Sequence, residues 1–455
     1  MTSTPRPEVA QPRPWDFPRP IDSTLANGIP LSVFHLPGQH VASVQVLVPL
    51  KATLEPAALE GLATIVSRTM DEGTRSRTAD EFAVQLESNG IALGAGQGLF
   101  GLTVQLDVAA VSLRPAVELV VECLTEAIFP DGEVGRHVAQ RLSDIEHEQS
   151  DPGSRAALEW NKAYYDSSAR AGRPIAGRAE TVAAIDGAAC RAFHAAHVTP
   201  RQARVVVAGA LDAARTHEDL EATLGTWVAA DSDASGSTDA GSHTGALDTV
   251  RTGGNRIVFV DSPGSVQTQV QLGWCGPSRR VDAGWAPYPV LGYLIGGSPG
   301  ARIDCVLREE KGYTYGFGAG FRPRGAQGTF VVGGSVRADV TVPAVDLLWQ
   351  VLGQIGDGFT QEELRSGVDY VAMTAPGRYA TADAVADQAA ALAMDGLSTD
   401  FITGYLRDLQ RLDAGDIAAA WALWASEPRT LVLVGDAHVH ADGVRALGLG
   451  ELTVV

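Results

Sequence analysis

The hydrophobic positions of this chain follow the period of a strand in some blocks and the period of a helix in others. Ile29 to Phe34 and Val41 to Val48 alternate apolar and polar residues, which predicts two strands on either side of a turn. After Pro56 the apolar positions return at helical spacing. These positions are Leu59, Leu62, Ile65, Val66 and Met70. The chain therefore begins with paired strands followed by an amphipathic helix.

The rest of the first half keeps strands and helices apart. Ile91 to Leu106 predicts a hairpin that contains glycine, and long helices are expected from about Pro115 to Ser150 and from Ala156 to Tyr165. Thr78 and Glu81 have the spacing of a capping box at the start of a helix. Separate blocks of strands and helices are typical of α+β domains.

The second half repeats this arrangement. Helices are predicted over Trp285 to Ile295 and Arg302 to Arg308, and Tyr313 to Phe321 pairs with Thr329 to Arg337 as a hairpin. Thr360 and Glu363 form a second candidate capping box.

The two halves also share sequence elements. In each half a strand leads into a Pro–Ala–Val element and then an amphipathic helix, at Pro115 and at Pro343. Each half closes on a Val-rich strand that ends in glycine, RVVVAG at Arg204–Gly209 and RTLVLVG at Arg429–Gly435. A repeat of this length indicates duplication of a whole domain. The predicted fold is α+β, with two homologous domains that each pack a mostly antiparallel sheet against helices.

A change in composition divides the chain nearly in half. Residues Ala229 to Asp248 are rich in Ser, Gly, Asp and Ala and contain no aromatic residue, which predicts a flexible linker. The expected organisation is a Pro-rich extension over residues 1–20, a first domain over 21–228, a linker over 229–249 and a second domain over 250–455. Two domains are also the natural division of 455 residues.

The net charge of the chain disfavours two classes of binding partner. The formal net charge is −19, so the chain as a whole repels nucleic-acid phosphates and anionic membranes. No stretch of about 20 apolar residues predicts a membrane span. The Pro- and Arg-rich start lacks the apolar core of a signal peptide. Four widely spaced cysteines favour buried thiols in a reducing compartment, and the expected location is cytoplasmic.

Residues Gly61 to Thr74, GLATIVSRTMDEGT, form an amphipathic segment that runs into a Gly-Thr turn. This frame resembles the metal-binding helix of the insulinase/pitrilysin zinc peptidases, which carries HxxEH. The resemblance places Thr64 and Arg68 where that family has its two histidines and Ser67 where it has its glutamate. Two hydroxyls and a guanidinium cannot replace two imidazoles and a general-base carboxylate, so no metal site is expected in this chain.

The family's third ligand is a glutamate on a later helix. The corresponding segment here is DIEHE, Asp144 to Glu148, and the resemblance leaves the register open between Glu146 and Glu148. The same pattern is also typical of a solvated helix face, which is the favoured interpretation because the other two ligands are absent. Two other histidine motifs are weak candidates for a metal site. They are the HxxH pair His194 and His197, and the HVH pair His438 and His440, expected on a strand or turn.

Residues Gly296 to Gly316, GGSPGARIDCVLREEKGYTYG, resemble the motif in the C-terminal half of the same family. There an Arg at a helix end and a Tyr that opens a strand bind the substrate backbone and stabilise the developing oxyanion. The resemblance assigns these roles to Arg308 and Tyr315, seven residues apart. A guanidinium and a phenol are suitable donors for such a task.

The resemblance implies a function shared between two chains. Some members, such as mitochondrial processing peptidase, pair a chain that bears HxxEH with a chain that lacks it. The predicted function is the metal-free subunit of a heterodimeric zinc metallopeptidase, inactive alone, with zinc in the partner and a peptide as substrate. Two alternatives remain: a non-enzymatic scaffold similar to the respiratory-complex core subunits, and an active peptidase with unusual ligands such as Glu146, His147 and the HxxH pair.

Overall fold

The computed structural model describes residues 11–228 and 247–455 and contains two six-stranded sheets, each with its own helices. The strands of the first sheet are β1 Ile21–Thr24, β2 Pro30–His35, β3 Val41–Val48, β4 Ala92–Gln97, β5 Leu102–Ala109 and β6 Arg204–Gly209. Those of the second are β7 Arg256–Asp261, β8 Gln267–Gly276, β9 Thr314–Arg322, β10 Gly328–Arg337, β11 Thr430–Gly435 and β12 Glu451–Val454.

Sixteen α-helices connect the strands in the described ranges. Those before residue 229 are α1 Leu62–Thr69, α2 Ala79–Ser88, α3 Leu113–Glu126, α4 Asp131–Ser150, α5 Pro152–Tyr164, α6 Ala179–Val182, α7 Gly187–His197 and α8 Ala213–Glu221. Those after residue 246 are α9 Pro287–Gly296, α10 Arg302–Asp304, α11 Thr341–Gln354, α12 Gln361–Arg378, α13 Ala382–Met394, α14 Asp400–Leu409, α15 Ala414–Ala422 and α16 Ala437–Ala446.

The order of the strands confirms the duplication. The first sheet runs β1-β2-β6-β3-β5-β4 and the second β12-β7-β11-β8-β10-β9. Five strands of each sheet therefore follow the same path, and only the outermost strand differs. Pairing is antiparallel except between β2 and β6 and between β7 and both its neighbours, β11 and β12. The predicted α+β fold with two mostly antiparallel sheets is confirmed.

Several local predictions are also confirmed. Both capping boxes are present, at Thr78 with Glu81 and at Thr360 with Glu363. One prediction was wrong: Arg302 to Arg308 is not one α-helix, because α10 is a single short turn that continues as a π-helix over Cys305–Glu310. His438 and His440 lie on α16 rather than on a strand or turn.

The chain folds into two compact units, and each contains a segment from a distant part of the sequence. The first unit contains Pro18–Gly253 and also Thr381–Thr399, a segment from far along the chain. The second unit contains Gly254–Ala380, Asp400–Val455 and residues 11–17. The division predicted at residues 229–249 does not include this exchange. Most of that predicted linker, and residues 1–10, lie outside the described residues.

One face of the first sheet forms a large apolar core. Alternate residues of β3 and β5, among them Val44, Val46 and Leu106, are almost fully buried. They pack with helices that include α1 and α3, through Ile65 and Val117. Burial of such side chains stabilises a fold by about 1.5–3 kcal/mol each. The core thereby fixes the face of α1 that points away from it, where the candidate metal positions lie.

The opposite face of the same sheet is covered by α13, the helix of the exchanged segment. Gln45 on β3 donates a hydrogen bond of 2.5 Å to Asp387 of α13. Small buried residues of α13, including Ala386 and Ala390, let the helix approach the strands closely. A side chain at Gly101 would meet Met394 Cε at 2.6 Å and the Val48 carbonyl oxygen at 2.7 Å, and the contact with the backbone requires glycine there. Segment 381–399 is thus an integral part of the first unit.

The second unit is organised around aromatic side chains. Trp274 of β8 lies 4.6 Å from Phe330 of β10 and 6.0 Å from Trp421 of α15, measured between ring centroids. Near the other end of the unit, Trp15 stacks on Tyr379 at 5.8 Å, so the N-terminal segment packs on the second unit. None of the helices in the described ranges has the length and apolar composition needed to cross a bilayer.

Candidate functional site

The N-terminus of α1 is fixed by a buried carboxylate. Gly61 precedes the helix with φ of +100°, and a side chain there would meet the Ala176 carbonyl oxygen at 2.8 Å. Glu55 accepts hydrogen bonds from the backbone N–H groups of Gly61 (3.1 Å) and Ala63 (2.9 Å). These N–H groups have no partner within the helix, and a negative charge at this end favours the helix dipole.

Two arginines from a later loop neutralise the acids at this helix end. Arg170 donates to Glu55 at 2.9 Å, and Arg173 donates to Glu60 at 2.8 Å. Burial raises the pKa of Glu55, while its bond to Arg170 opposes that rise. The cluster holds α1 rigidly in place, although it contributes no group to the positions of the HxxEH motif.

The motif positions of α1 contain no metal ligand. Thr64 and Ser67 are buried, and the Ser67 hydroxyl donates to the Thr64 carbonyl at 2.8 Å. Arg68, at the second histidine position, points to α4, where its Nη1 lies 3.2 Å from Asp144 Oδ2. A fixed cation paired with an acid therefore lies where a zinc ion would need neutral or anionic donors. The residues of this chain do not fit zinc at this place.

The helix α4 presents Asp144 to α1, not the two glutamates singled out in the sequence. Gln140 donates to Asp144 at 2.9 Å, and this bond together with Arg68 lowers the pKa of Asp144. Glu148 forms a bidentate ion pair with the buried Arg141. Glu146 is exposed on another face of the helix. No local signal in the sequence selects Asp144, because the rotation of α4 against α1 decides which acid faces Arg68.

The histidine pairs do not build a second metal site. His194 is buried beside Phe129, at 5.1 Å between rings, and burial lowers its pKa to about 4. His438 is 84% exposed and lies 3.5 Å from Asp261. Within residues 11–228 and 247–455, no three His, Cys, Asp or Glu side chains are grouped so that they could hold a metal ion. All four cysteines are described and are free thiols.

Arg308 and Tyr315 lie on either side of a tight connection in the second unit. Arg308 is near the end of the π-helix, and its carbonyl accepts the Gly312 N–H at 3.0 Å. The Leu307 carbonyl accepts the Tyr313 N–H at 2.9 Å, just before β9 begins. π-helical turns are rare and frequently occur at functional sites. The connection fixes the backbone from which both side chains extend.

Both side chains are accessible. The Tyr315 side chain is 90% exposed at the start of β9, an edge strand of the second sheet. The Arg308 side chain is 43% exposed, and its Nε lies 3.4 Å from Glu309. The buried Asp304 accepts the Phe317 N–H at 2.8 Å and so ties the beginning of the motif to β9. The fold leaves a guanidinium and a phenol free to contact another molecule.

The comparisons with known proteins match both halves. Residues 33–176 match the family model described as insulinase (peptidase family M16), and residues 184–369 match the one described as peptidase M16 inactive domain. An uncharacterised zinc protease of Mycobacterium leprae is 26% identical over 349 residues, 75% of each chain. An uncharacterised zinc protease of Mycobacterium tuberculosis is 28% identical over 313 residues, 68% of each chain.

Two solved structures have the same fold. The structure of a peptidase M16 inactive domain from Pseudomonas fluorescens superimposes with a TM-score of 0.80 at 20% identity, over 92% of this chain and 98% of that one. A protease from Helicobacter pylori gives a TM-score of 0.81 at 15% identity, over 92% and 99%. Two models of one family thus follow one another along the sequence, and the chain belongs to the insulinase family, peptidase family M16, as a member without the HxxEH motif.

Proposed function

We propose that this chain is the metal-free subunit of a heterodimeric zinc metallopeptidase. A homologous partner that bears HxxEH holds the zinc and activates the water. This chain binds the peptide and stabilises the oxyanion through Arg308 and Tyr315. The Arg68–Asp144 ion pair best supports this assignment of roles to the two chains. It fills the positions that the proposed catalytic chain uses for its zinc ligands.

The chemistry of Arg308 and Tyr315 suits this role. The Arg308–Glu309 contact joins exposed groups, so it is worth only about 0–1 kcal/mol and a peptide carbonyl can displace it. The bare phenol of Tyr315 adds a second donor. A donor aimed at a developing oxyanion typically contributes about 3 kcal/mol to the transition state.

The first test is metal content and activity of the isolated chain. We expect far less than one zinc per chain by elemental analysis and no peptide hydrolysis. Coexpression with an HxxEH homologue from the same genome is expected to give a stable complex that cleaves peptides. Stoichiometric zinc in the isolated chain would refute the proposal. A complex that forms but never cleaves peptides would instead favour a non-enzymatic scaffold.

The second test addresses the two side chains in the active complex. Arg308→Ala and Tyr315→Phe are each expected to lower kcat/KM by roughly one to three orders of magnitude. Tyr313→Phe and Arg322→Ala provide matched controls, because they alter the same residue types on the same hairpin. If the controls and the two test variants have equal rates, Arg308 and Tyr315 have no part in catalysis.

A further inference from the structure

A cleft of about 630 Å³ in the first unit is lined by an unusual number of cations. Its walls are α5, the loop that follows it and the segment that leads out of the first unit. Five basic side chains contribute to it: Arg155, Lys162, Arg173, Arg178 and Arg251. We call these five residues and the space between them the basic cleft. In a chain with a net charge of −19, such a local excess of positive charge needs an explanation.

The acids at the basic cleft leave part of this charge uncompensated. Glu159 lies 3.1 Å from Lys162. Asp166 is engaged by Ser168, whose N–H and hydroxyl donate to it at 2.9 and 2.7 Å. Only these two carboxylates line the cleft among the described residues, against five cations. Glu60 and Glu180, which pair with Arg173 and Arg178 from outside the lining, reduce the excess further, so the cleft keeps a small net positive charge in a chain that is acidic overall.

Two of the cations have no ion-pair partner in the described part of the chain. Arg173 pairs with Glu60 and Arg178 with Glu180. Arg155 and Arg251 have no carboxylate within ion-pair distance among the described residues, although they line the cleft from different segments. Asp166 is the acid nearest in effect to Arg251: its bonds from Ser168 lower the pKa of Asp166 most, and the Arg251 guanidinium lowers it further. An unpaired guanidinium offers a planar fork of donors that matches a carboxylate. These two arginines are thus the side chains most available to an anionic ligand.

The form of the basic cleft favours an extended acidic chain over a small anion. Its cations come from separate segments, which are α5, the loop after it and the segment at Arg251. Leu158 and Pro174 supply apolar surface between the charges. The volume lies within the range of about 300–1,000 Å³ that is typical of ligand sites, well beyond what one phosphate needs.

We propose that the basic cleft binds an acidic peptide segment, whose Glu or Asp side chains pair with Arg155 and Arg251. This site belongs to the first unit and lies on different residues from Arg308 and Tyr315. It goes beyond the proposed function, because the isolated chain binds such a segment whether or not a catalytic partner is present. The cleft then selects peptides by charge, independently of the groups that contact the scissile bond.

The test is fluorescence anisotropy with the full chain and a labelled hexaglutamate peptide. We expect saturable binding that weakens as salt rises from about 50 to 300 mM, and no binding of an uncharged hexaserine peptide. The double variant Arg155→Ala/Arg251→Ala is expected to bind about tenfold more weakly. Neither side chain has an ion pair with the described residues to lose, so the melting temperature of the variant is expected to stay within about 2 °C of the original.

The matched control removes the same charge elsewhere. Arg201→Ala/Arg215→Ala lies outside the cleft in the same unit and is expected to change affinity less than about twofold. Equal loss in both double variants would overturn the proposal in favour of a diffuse charge effect. Displacement of the peptide by millimolar inorganic phosphate would overturn it in favour of a small-anion site. Arg308→Ala is expected to leave this binding unchanged, which separates failure here from failure of the proposed function.

Discussion

At the scale of single residues, Arg68 and Asp144 form an ion pair at the place where a zinc site would need its ligands. Thr64, Ser67 and Arg68 exclude the chemistry of HxxEH by residue type alone, and the structure places all three on α1. The pairing of Arg68 with Asp144 was not predicted, because it depends on the rotation of α4 against α1. The roles of Arg308 and Tyr315 stay predictions.

His194 provides a residue-scale prediction about pH. Burial lowers its pKa to about 4 from the usual 6.5, so the folded state keeps it neutral while the unfolded state takes up a proton. The stability it contributes is complete above pH 6.5 and is lost as the pH falls towards 4. At pH 4.5 we expect a loss of roughly 2–3 kcal/mol from this group.

The measurement compares unfolding by urea at pH 7 and 4.5. His194→Gln cannot titrate and is expected to lose roughly 2–3 kcal/mol less stability than the original chain over this interval. His438→Gln serves as the control, since that histidine is largely exposed. If the original chain and His194→Gln respond equally to pH, the buried histidine is not the source of acid sensitivity.

At the scale of elements, periodicity and capping residues predicted most strands and helices. The hairpin of β4 and β5 and both capping boxes follow from local sequence. The π-helix at Cys305–Glu310 does not, because a wider turn depends on how Asp304 and the following strand are held together. The register of α4 is a similar case: a shift of two residues decides whether Asp144 or Glu146 faces α1.

The register of α4 relative to α1 can be tested by restoring the HxxEH motif on α1. In Thr64→His/Ser67→Glu/Arg68→His the imidazoles are four residues apart on one helix face, and removal of Arg68 frees Asp144 to act as a ligand. We expect this variant to bind close to one zinc ion, measured by elemental analysis after dialysis.

Adding Asp144→Ala to that variant is expected to weaken zinc binding at least about tenfold, whereas adding Glu146→Ala leaves it unchanged. The opposite ranking would show that α4 presents Glu146 to α1. If the triple variant folds and binds no zinc, the positions assigned on α1 are wrong.

At the scale of the whole molecule, the sequence predicted the duplication but not the exchange of segments. Repeated strands and the Pro–Ala–Val element indicate two related domains, and the matching strand orders confirm this. Helix α13 is rich in Ala, and such a helix can pack against many apolar surfaces. Its location on β3 and β6 depends on contacts between residues more than 150 positions apart, which local pattern does not encode.

Because residues 381–399 belong to the first unit, we predict that this unit is incomplete without them. A fragment of residues 18–253 lacks α13 and exposes apolar groups such as Leu47 and Val206, which are buried in the full chain. We expect this fragment to melt at a lower temperature than the first unit within the full chain. A synthetic peptide of residues 381–399 is expected to bind it and raise its melting temperature.

A peptide of the same composition in scrambled order is the control, since it keeps the charge and helix propensity but loses the pattern that fits the sheet. Asp387→Ala in the peptide removes the hydrogen bond to Gln45 and tests one contact. An equal effect of the native and the scrambled peptide would contradict a specific fit of α13.

The late position of residues 381–399 in the sequence also determines when the first unit can be completed during translation. A ribosome that has released residue 253 must still translate through residue 399 before the last piece of the first unit exists. At about 5–20 residues per second this interval is about 7 to 30 s, during which one face of the nascent sheet is bare. Residues 11–17 likewise cannot pack until the second unit, to which they belong, has been synthesised. The two units therefore mature together near the end of translation, and binding of a chaperone to the uncovered sheet is the natural safeguard over that interval.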